Sequence, residues 1–101
     1  MIDRLEQTKA LASDTRLSIL EWLASPDRYF SHQETGRPSE IGVCVTLLTE
    51  RLEMAQPTVS RHLELLRRAR FLTVNRIGRW SFFQRDEAAI NDYKDWLNEH
   101  L

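Results

Sequence analysis

Apolar residues recur at helical spacing from residue 59 onward. Val59, Leu63 and Leu66 stand at i, i+4 and i+7, which places them on one face of a predicted helix. The polar residues of this segment fall outside that stripe and point outward; they are Gln56, Thr58, Ser60 and Arg61. Pro57 fits the first turn, where its missing backbone N–H is tolerated. The pattern predicts a helix with a buried apolar stripe and an outward surface of hydrogen-bonding side chains.

Three helices are predicted before this one. Apolar positions within residues 1–12 indicate a short first helix, and Ser13-Asp14 supply an N-cap for a second helix from Thr15 to about Ala24. Pro26 follows and cannot continue a helix. The third helix is predicted from about Thr46 to Leu52, and residues 53 to 55 form the turn into the fourth.

The connection between the second and third helices, residues 25–42, is long, since a few residues usually suffice between helices. A connection of this length is either a functional loop or an insertion that Tyr29 and Phe30 pack onto the rest of the chain. The sequence leaves both interpretations open.

Two strands and a last helix complete the predicted order. Residues 71–75 and 80–85 are rich in aromatic and β-branched side chains, and Gly78 between them supplies the positive φ of a hairpin turn. Asp86 caps a C-terminal helix. The apolar stripe of that helix comprises Ile90, Tyr93, Trp96 or Leu97, and Leu101. We therefore predict a mainly α fold with a β-hairpin, in the order α-α-α-α-β-β-α, as a single domain over residues 1–101.

Charge is distributed unevenly along the chain. Its 101 residues are 42% hydrophobic and 29% charged, as in an ordinary globular domain, and the formal net charge is only -1. Residues 51–85 nevertheless hold eight arginines and two glutamates, a net charge of +6, between flanks of -3 and -4. Such a basic stripe is typical of a phosphate-binding face. A solvated helix and hairpin surface is the alternative interpretation.

Cysteine usage and the N-terminal pattern bear on location. Cys44 is the single cysteine, which excludes an intramolecular disulfide and suits a reducing cytoplasm. The first residues show no basic region followed by an apolar core, and no apolar run approaches the roughly 20 residues that span a bilayer. We expect a cytoplasmic protein with no membrane partner.

Three segments, residues 11–24, 55–67 and 78–85, resemble the ArsR (arsenic-repressor) family of winged helix-turn-helix transcriptional regulators. The resemblance spans most of the domain and implies a homodimer, built from the first and last helices, that presents two recognition helices to pseudo-palindromic operator DNA. The last helix supports this independently, because its aromatic stripe has little of its own domain left to cover. The predicted dimer residues are Ile2, Leu5, Ile90, Tyr93, Trp96 and Leu97.

By the family pattern, contacts to base edges and phosphates fall to Gln56, Thr58, Ser60, Arg61 and His62, with Arg76 and Arg79 at the hairpin, or wing. Glutamine can pair with adenine and arginine with guanine, whereas wing arginines add affinity and salt dependence with little sequence choice. For His62 the chain leaves two interpretations open, a DNA contact and a packing or dimer contact.

The chain departs from the family pattern at two places. The turn before the recognition helix usually carries Gly and then Ser, where this chain has Glu53 and Ala55, so we expect a less stable turn. The metal sensors of the family carry paired cysteines, whereas this chain has only Cys44 at the corresponding place. Lys94 occupies the position on the last helix where a metal ligand would be needed. We therefore predict no metal and no cofactor. A small buried apolar residue is the simpler interpretation of Cys44, and a redox or metal role is the alternative.

These observations predict a sequence-specific DNA-binding regulator, a dimeric repressor whose inducer the chain does not identify. The alternative is a winged-helix module whose arginines meet an acidic protein partner. An enzyme is not expected, because Ser60 and His62, the nearest approach to a nucleophile and base, diverge by about 200° on a helix.

Overall fold

A computed structural model describes residues 2–101. In that range the elements are α1 (Arg4–Ala10), α2 (Asp14–Ala24), α3 (Pro26–Tyr29), α4 (Pro38–Ile41), β1 (Val43–Cys44), α5 (Val45–Leu52), α6 (Gln56–Arg68), β2 (Leu72–Ile77), β3 (Trp80–Arg85) and α7 (Glu87–His100). The predicted winged helix-turn-helix class is confirmed: α5 and α6 form the helix-turn-helix, and β2 and β3 form the wing. The four predicted helices before the wing correspond to α1, α2, α5 and α6.

Two features go beyond the predicted order. The long connection contains the short helices α3 and α4, and the hairpin gains a third strand, giving the antiparallel sheet order β1-β3-β2. Each short helix has four residues, too few for apolar periodicity to reveal. The strand character of β1 comes from pairing with a distant partner, because Val43 lies opposite Phe83 and Cys44 opposite Phe82.

Residues 25–42, here called the insertion, are fixed to the rest of the domain by hydrogen bonds and by a buried side chain. Both carboxylate oxygens of Asp27 accept hydrogen bonds from Ser39, one from its backbone N–H at 2.9 Å and one from its hydroxyl at 2.6 Å. The hydrogen bond from the Ser39 hydroxyl, followed by that from the Ser39 N–H, lowers the pKa of Asp27. The Gln33 side chain donates to the Gly42 carbonyl at 3.0 Å and accepts from the Cys44 N–H of β1 at 2.9 Å, and Phe30 is buried at 1% exposure. Of the two interpretations of this segment, the packed insertion matches the structure.

The core lies beneath α6. Its predicted stripe of Val59, Leu63 and Leu66 is buried at 0–1% exposure. Ile19 of α2 and Leu48 of α5 are fully buried in the same cluster. Burial of this stripe fixes which face of α6 is turned outward.

The turn from α5 to α6 has the strain that its sequence predicted. Glu53, which ends α5, has φ 53° and ψ 42°, a left-handed conformation that favours glycine. Ala55 stands at the N-cap of α6 and offers no side-chain hydrogen bond. In this turn, Glu53 thus takes the left-handed position that the family usually gives to glycine, and Ala55 takes the N-cap position that it usually gives to serine.

Replacing Glu53 by glycine should raise the free energy of unfolding by about 0.5–1 kcal/mol, because relief of left-handed strain exceeds the added entropy of the unfolded chain. Urea denaturation measures this change. The control is Glu50→Gly, the same substitution within helical α5, which should lower stability by about 1 kcal/mol. A loss in both variants would contradict the assignment of strain to Glu53.

Candidate nucleic-acid interface

The outward surface of α6 carries the predicted DNA-contacting side chains. Gln56, Thr58, Ser60 and Arg61 are all exposed, while the stripe between them faces the core. Gln56 and Thr58 lie in the first turn of α6, where the helix dipole is positive, and the Thr58 N–H donates to the Ala55 carbonyl at 3.0 Å. The surface combines side-chain donors and acceptors with an anion-favouring helix end.

The wing carries two further predicted residues at its tip. Gly78 turns the hairpin with φ 60°, as predicted. Arg76 donates to the Ser81 hydroxyl at 3.2 Å, and the Arg79 guanidinium lies 5.8 Å from the centre of the Trp80 ring. Both arginines are exposed, so their charge is directed to solvent.

Contacts within the protein reduce the number of arginines whose charge is available to DNA. Some arginines of residues 51–85 bind carboxylates: Arg67 pairs with Glu64, Arg68 with Glu6 and Arg85 with Glu87. Arg51 instead stacks over the rings of Trp22 and Tyr29, at 4.8 and 4.9 Å. Over residues 2–101, Arg61, Arg70, Arg76 and Arg79 form no ion pair within 4 Å. The arginines without a carboxylate partner thus include all three that were predicted to contact DNA, Arg61, Arg76 and Arg79.

His62 is half-buried, unlike its neighbours on the outward surface. Its ring Nδ1 lies 3.0 Å from the Arg16 guanidinium of α2. Burial first, and then the positive charges of Arg16 and Arg61, lower the pKa of His62 from its ordinary 6.5. No local pattern in the sequence links Arg16 to His62, because the two residues are 46 positions apart.

The predicted dimer residues divide into two groups. Ile2 and Leu5 are exposed at 39% and 62%, and Trp96 and Leu97 are half-buried. Ile90 and Tyr93, by contrast, are 7% and 4% exposed. The expectation that its own chain leaves Tyr93 uncovered is wrong, while the assignment of Ile90 and Tyr93 to a dimer interface stays a prediction.

The burial of Tyr93 has a clear structural cause. Its ring meets Phe71 edge-to-face with ring centres 5.3 Å apart, and its hydroxyl lies 2.7 Å from the Thr8 hydroxyl of α1. Arg4 of α1 also binds Asp92 of α7 at 2.9 Å. Because α7 packs back against α1 and against Phe71, the residue before β2, part of its apolar stripe belongs to the protomer core.

The remaining candidate chemistry is sparse. Cys44 is buried at 8% exposure in β1. Within residues 2–101, no cluster of three or more His, Cys, Asp or Glu side chains could hold a metal ion. Nor does any helix in that range combine the length and apolar character needed to cross a membrane.

Comparisons with known proteins agree with this geometry. Residues 43–74 match the family model described as bacterial regulatory protein, arsR family. The chain is 40% identical over 100 residues to the HTH-type transcriptional regulator YbzH of Bacillus subtilis (strain 168), covering 99% of this chain and 100% of that protein. It is 37% identical over 76 residues to the arsenic resistance transcriptional regulator ArsR1 of Pseudomonas putida, covering 75% of this chain and 48% of that one.

A crystal structure of the ArsR family transcriptional regulator RHA00566 superposes with a TM-score of 0.70 at 21% identity, covering 96% of this chain and 86% of that one. HlyU from Vibrio cholerae superposes with a TM-score of 0.61 at 23% identity, covering 89% and 83%. At these identities the two structures show the fold alone. Sequence and fold together establish that this chain belongs to the ArsR family of winged helix-turn-helix transcriptional regulators, which are DNA-binding proteins and not enzymes.

Proposed function

We propose that this regulator is a homodimer that recognises a specific operator sequence and represses transcription by occupying a promoter. One observation carries the proposal: α6 exposes Arg61, without an ion pair over residues 2–101, on the face opposite a fully buried stripe. A cation held outward on a rigid helix is suited to the major groove, which admits an α-helix.

The proposed division of labour follows from side-chain chemistry. Gln56 and Arg61 read base edges, since their side chains can pair with adenine and guanine in two-point contacts. Thr58 and Ser60 bind phosphates or bases through their hydroxyls, and His62 contributes one ring N–H. Arg76 and Arg79 hold the flanking backbone or minor groove, where arginine adds affinity with little sequence choice.

The proposed dimer forms through α1 and α7. Exposed Ile2 and Leu5 and half-buried Trp96 and Leu97 are the side chains that a second copy would cover. Ile90 and Tyr93 support this surface from beneath. A twofold dimer would place its two α6 helices at half-sites about one helical turn, roughly 34 Å, apart.

The proposed regulator works without a metal or cofactor. A soft metal prefers several sulfur ligands, and Cys44 contributes one buried thiol. Lys94 is an exposed cation on α7, where a metal ligand would be needed. Acting on operator DNA, the protein would work in the cytoplasm.

Selection of duplexes from a random pool tests the proposal. We expect enrichment of an inverted repeat, binding that weakens steeply with salt, and a protein that sediments as a dimer at the concentration used. Polyglutamate serves as a competitor that offers negative charge without bases. If no sequence is enriched and polyglutamate displaces the bound DNA, operator recognition is contradicted and an acidic protein partner is favoured.

A further inference from the structure

Arg16 joins three helices through one side chain. It lies in the first turn of α2, and its Nε donates to the Ala10 carbonyl at 2.6 Å. One terminal nitrogen donates to the Lys9 carbonyl at 3.3 Å, and the other lies 3.0 Å from His62 Nδ1 on α6. The two carbonyls belong to the last two residues of α1, and that of Lys9 also accepts from the Ala12 N–H at 3.1 Å. One guanidinium thus connects the end of α1 to the recognition helix.

The donor and acceptor roles in this contact are fixed by chemistry. A guanidinium is always protonated in proteins and can only donate, so His62 Nδ1 must accept. A histidine that accepts through Nδ1 is neutral and carries its hydrogen on Nε2. The His62 ring can therefore offer one N–H donor at Nε2.

We propose that Arg16 is a positioning residue for operator recognition: it orients the His62 ring as a neutral Nε2 donor and fixes α6 against the end of α1. The proposal rests on the proposed function, because it assumes that α6 contacts DNA. Two features of Arg16 support it. Its side-chain hydrogen bonds all go to neutral acceptors on α1 and α6, and over residues 2–101 it forms no ion pair within 4 Å.

A consequence concerns the two ends of the Arg16 contact. Lys9 and Ala10 belong to α1, which forms part of the proposed dimer surface, whereas His62 belongs to the DNA-contacting helix. A shift of α1 relative to α2 would move the Lys9 and Ala10 carbonyls, which accept hydrogen bonds from the Arg16 guanidinium. The His62 contact on its other side would then have to adjust.

The test is a double-mutant cycle on the selected operator. Arg16→Met removes the donors and keeps most of the apolar stem, and His62→Ala removes the acceptor. Each should weaken operator binding about fivefold and leave binding to a scrambled duplex within about twofold, as expected for one oriented hydrogen bond. The double variant should lose no more than His62→Ala alone, because Arg16 is proposed to act on the operator through the His62 ring.

Arg85→Met is the matched control. Arg85 is also half-buried and donates to a helix carbonyl, that of Leu20 at 3.0 Å, but its recorded hydrogen bonds do not reach α6. This variant should leave the ratio of operator to scrambled affinity unchanged. Thermal unfolding of every variant separates lost stability from lost recognition.

A second readout follows the His62 ring by NMR titration. The pKa of His62 should rise in Arg16→Met, because a positive neighbour that lowers it is removed, and should stay unchanged in Arg85→Met. The charged groups that act on this ring are Arg16 from α2 and Arg61 from its own helix. If Arg16→Met does not fold, Arg16→Lys retains the charge and a single donor nitrogen, and should give a smaller loss of operator affinity.

Three outcomes overturn the inference: equal losses on operator and scrambled duplexes in Arg16→Met, additive losses in the double variant, or an unchanged His62 pKa. The proposed function fails separately, if the wild-type protein selects no sequence. A wild type that selects an operator, with Arg16→Met retaining full selectivity, would disprove only the role of Arg16.

Discussion

Alanine at Arg61 should remove most of the preference of this protein for its operator. Affinity for the selected sequence should fall by 1–3 kcal/mol, roughly 5- to 150-fold, while scrambled duplexes lose much less. The reason is that Arg61 is exposed and forms no ion pair over residues 2–101, so binding DNA breaks no internal ion pair. Fluorescence anisotropy at one fixed salt concentration measures both affinities.

Two matched variants separate the possible causes of such a loss. Arg79→Ala at the wing should weaken all duplexes alike and lower the salt slope by about one. Arg67→Ala lies on the same helix as Arg61 but is paired with Glu64, so its effect should be small. Equal losses on operator and scrambled DNA in both Arg61→Ala and Arg79→Ala would rule out the division between base reading and backbone binding.

Alanine at Gly42 should destabilise the fold by about 3 kcal/mol or more. Gly42 has φ 93° and ψ -178°, a backbone region that is essentially restricted to glycine. A Cβ there would lie 2.8 Å from the Phe83 carbonyl oxygen and 2.9 Å from Gln84 Cγ. Backbone strain and the clash with β3 add together, and chemical denaturation measures the loss.

Gly78→Ala is the control for this prediction. Gly78 also has a positive φ, 60°, but nothing lies within 4 Å of an added Cβ. The variant should lose only about 1–2 kcal/mol, the usual cost of a left-handed alanine. Similar losses in the two variants would show that the contact between Gly42 and β3 relaxes at little cost.

The helix-turn-helix could be predicted from sequence because its signals are local. Val59, Leu63 and Leu66 mark the buried face of α6 by spacing alone, and burial of that face turns Arg61 outward. The wing strands follow from aromatic and β-branched residues on either side of Gly78. The resemblance to the family added the roles of these surfaces, which periodicity does not supply.

Features that depend on distant contacts were missed or misjudged. β1 is a strand only because Val43 meets Phe83, and the contact of Arg16 with His62 joins helices far apart in sequence. Tyr93 has the spacing of an uncovered stripe, yet Phe71 and Thr8 cover it once the chain has folded back. Spacing identifies the apolar face of a helix but not which molecule covers it.

The position of β3 in the centre of the sheet has a consequence for DNA. β3 is paired on one side with β1, which runs directly into α5, and on the other with β2. Hydrogen-bonded strands therefore connect the wing to α5, the helix that directly precedes the recognition helix α6. A base pair inserted within a half-site would displace the wing contact by about 3.4 Å along the duplex. Operators of this protein should consequently tolerate changes of sequence beneath the wing far better than changes of length inside each half-site.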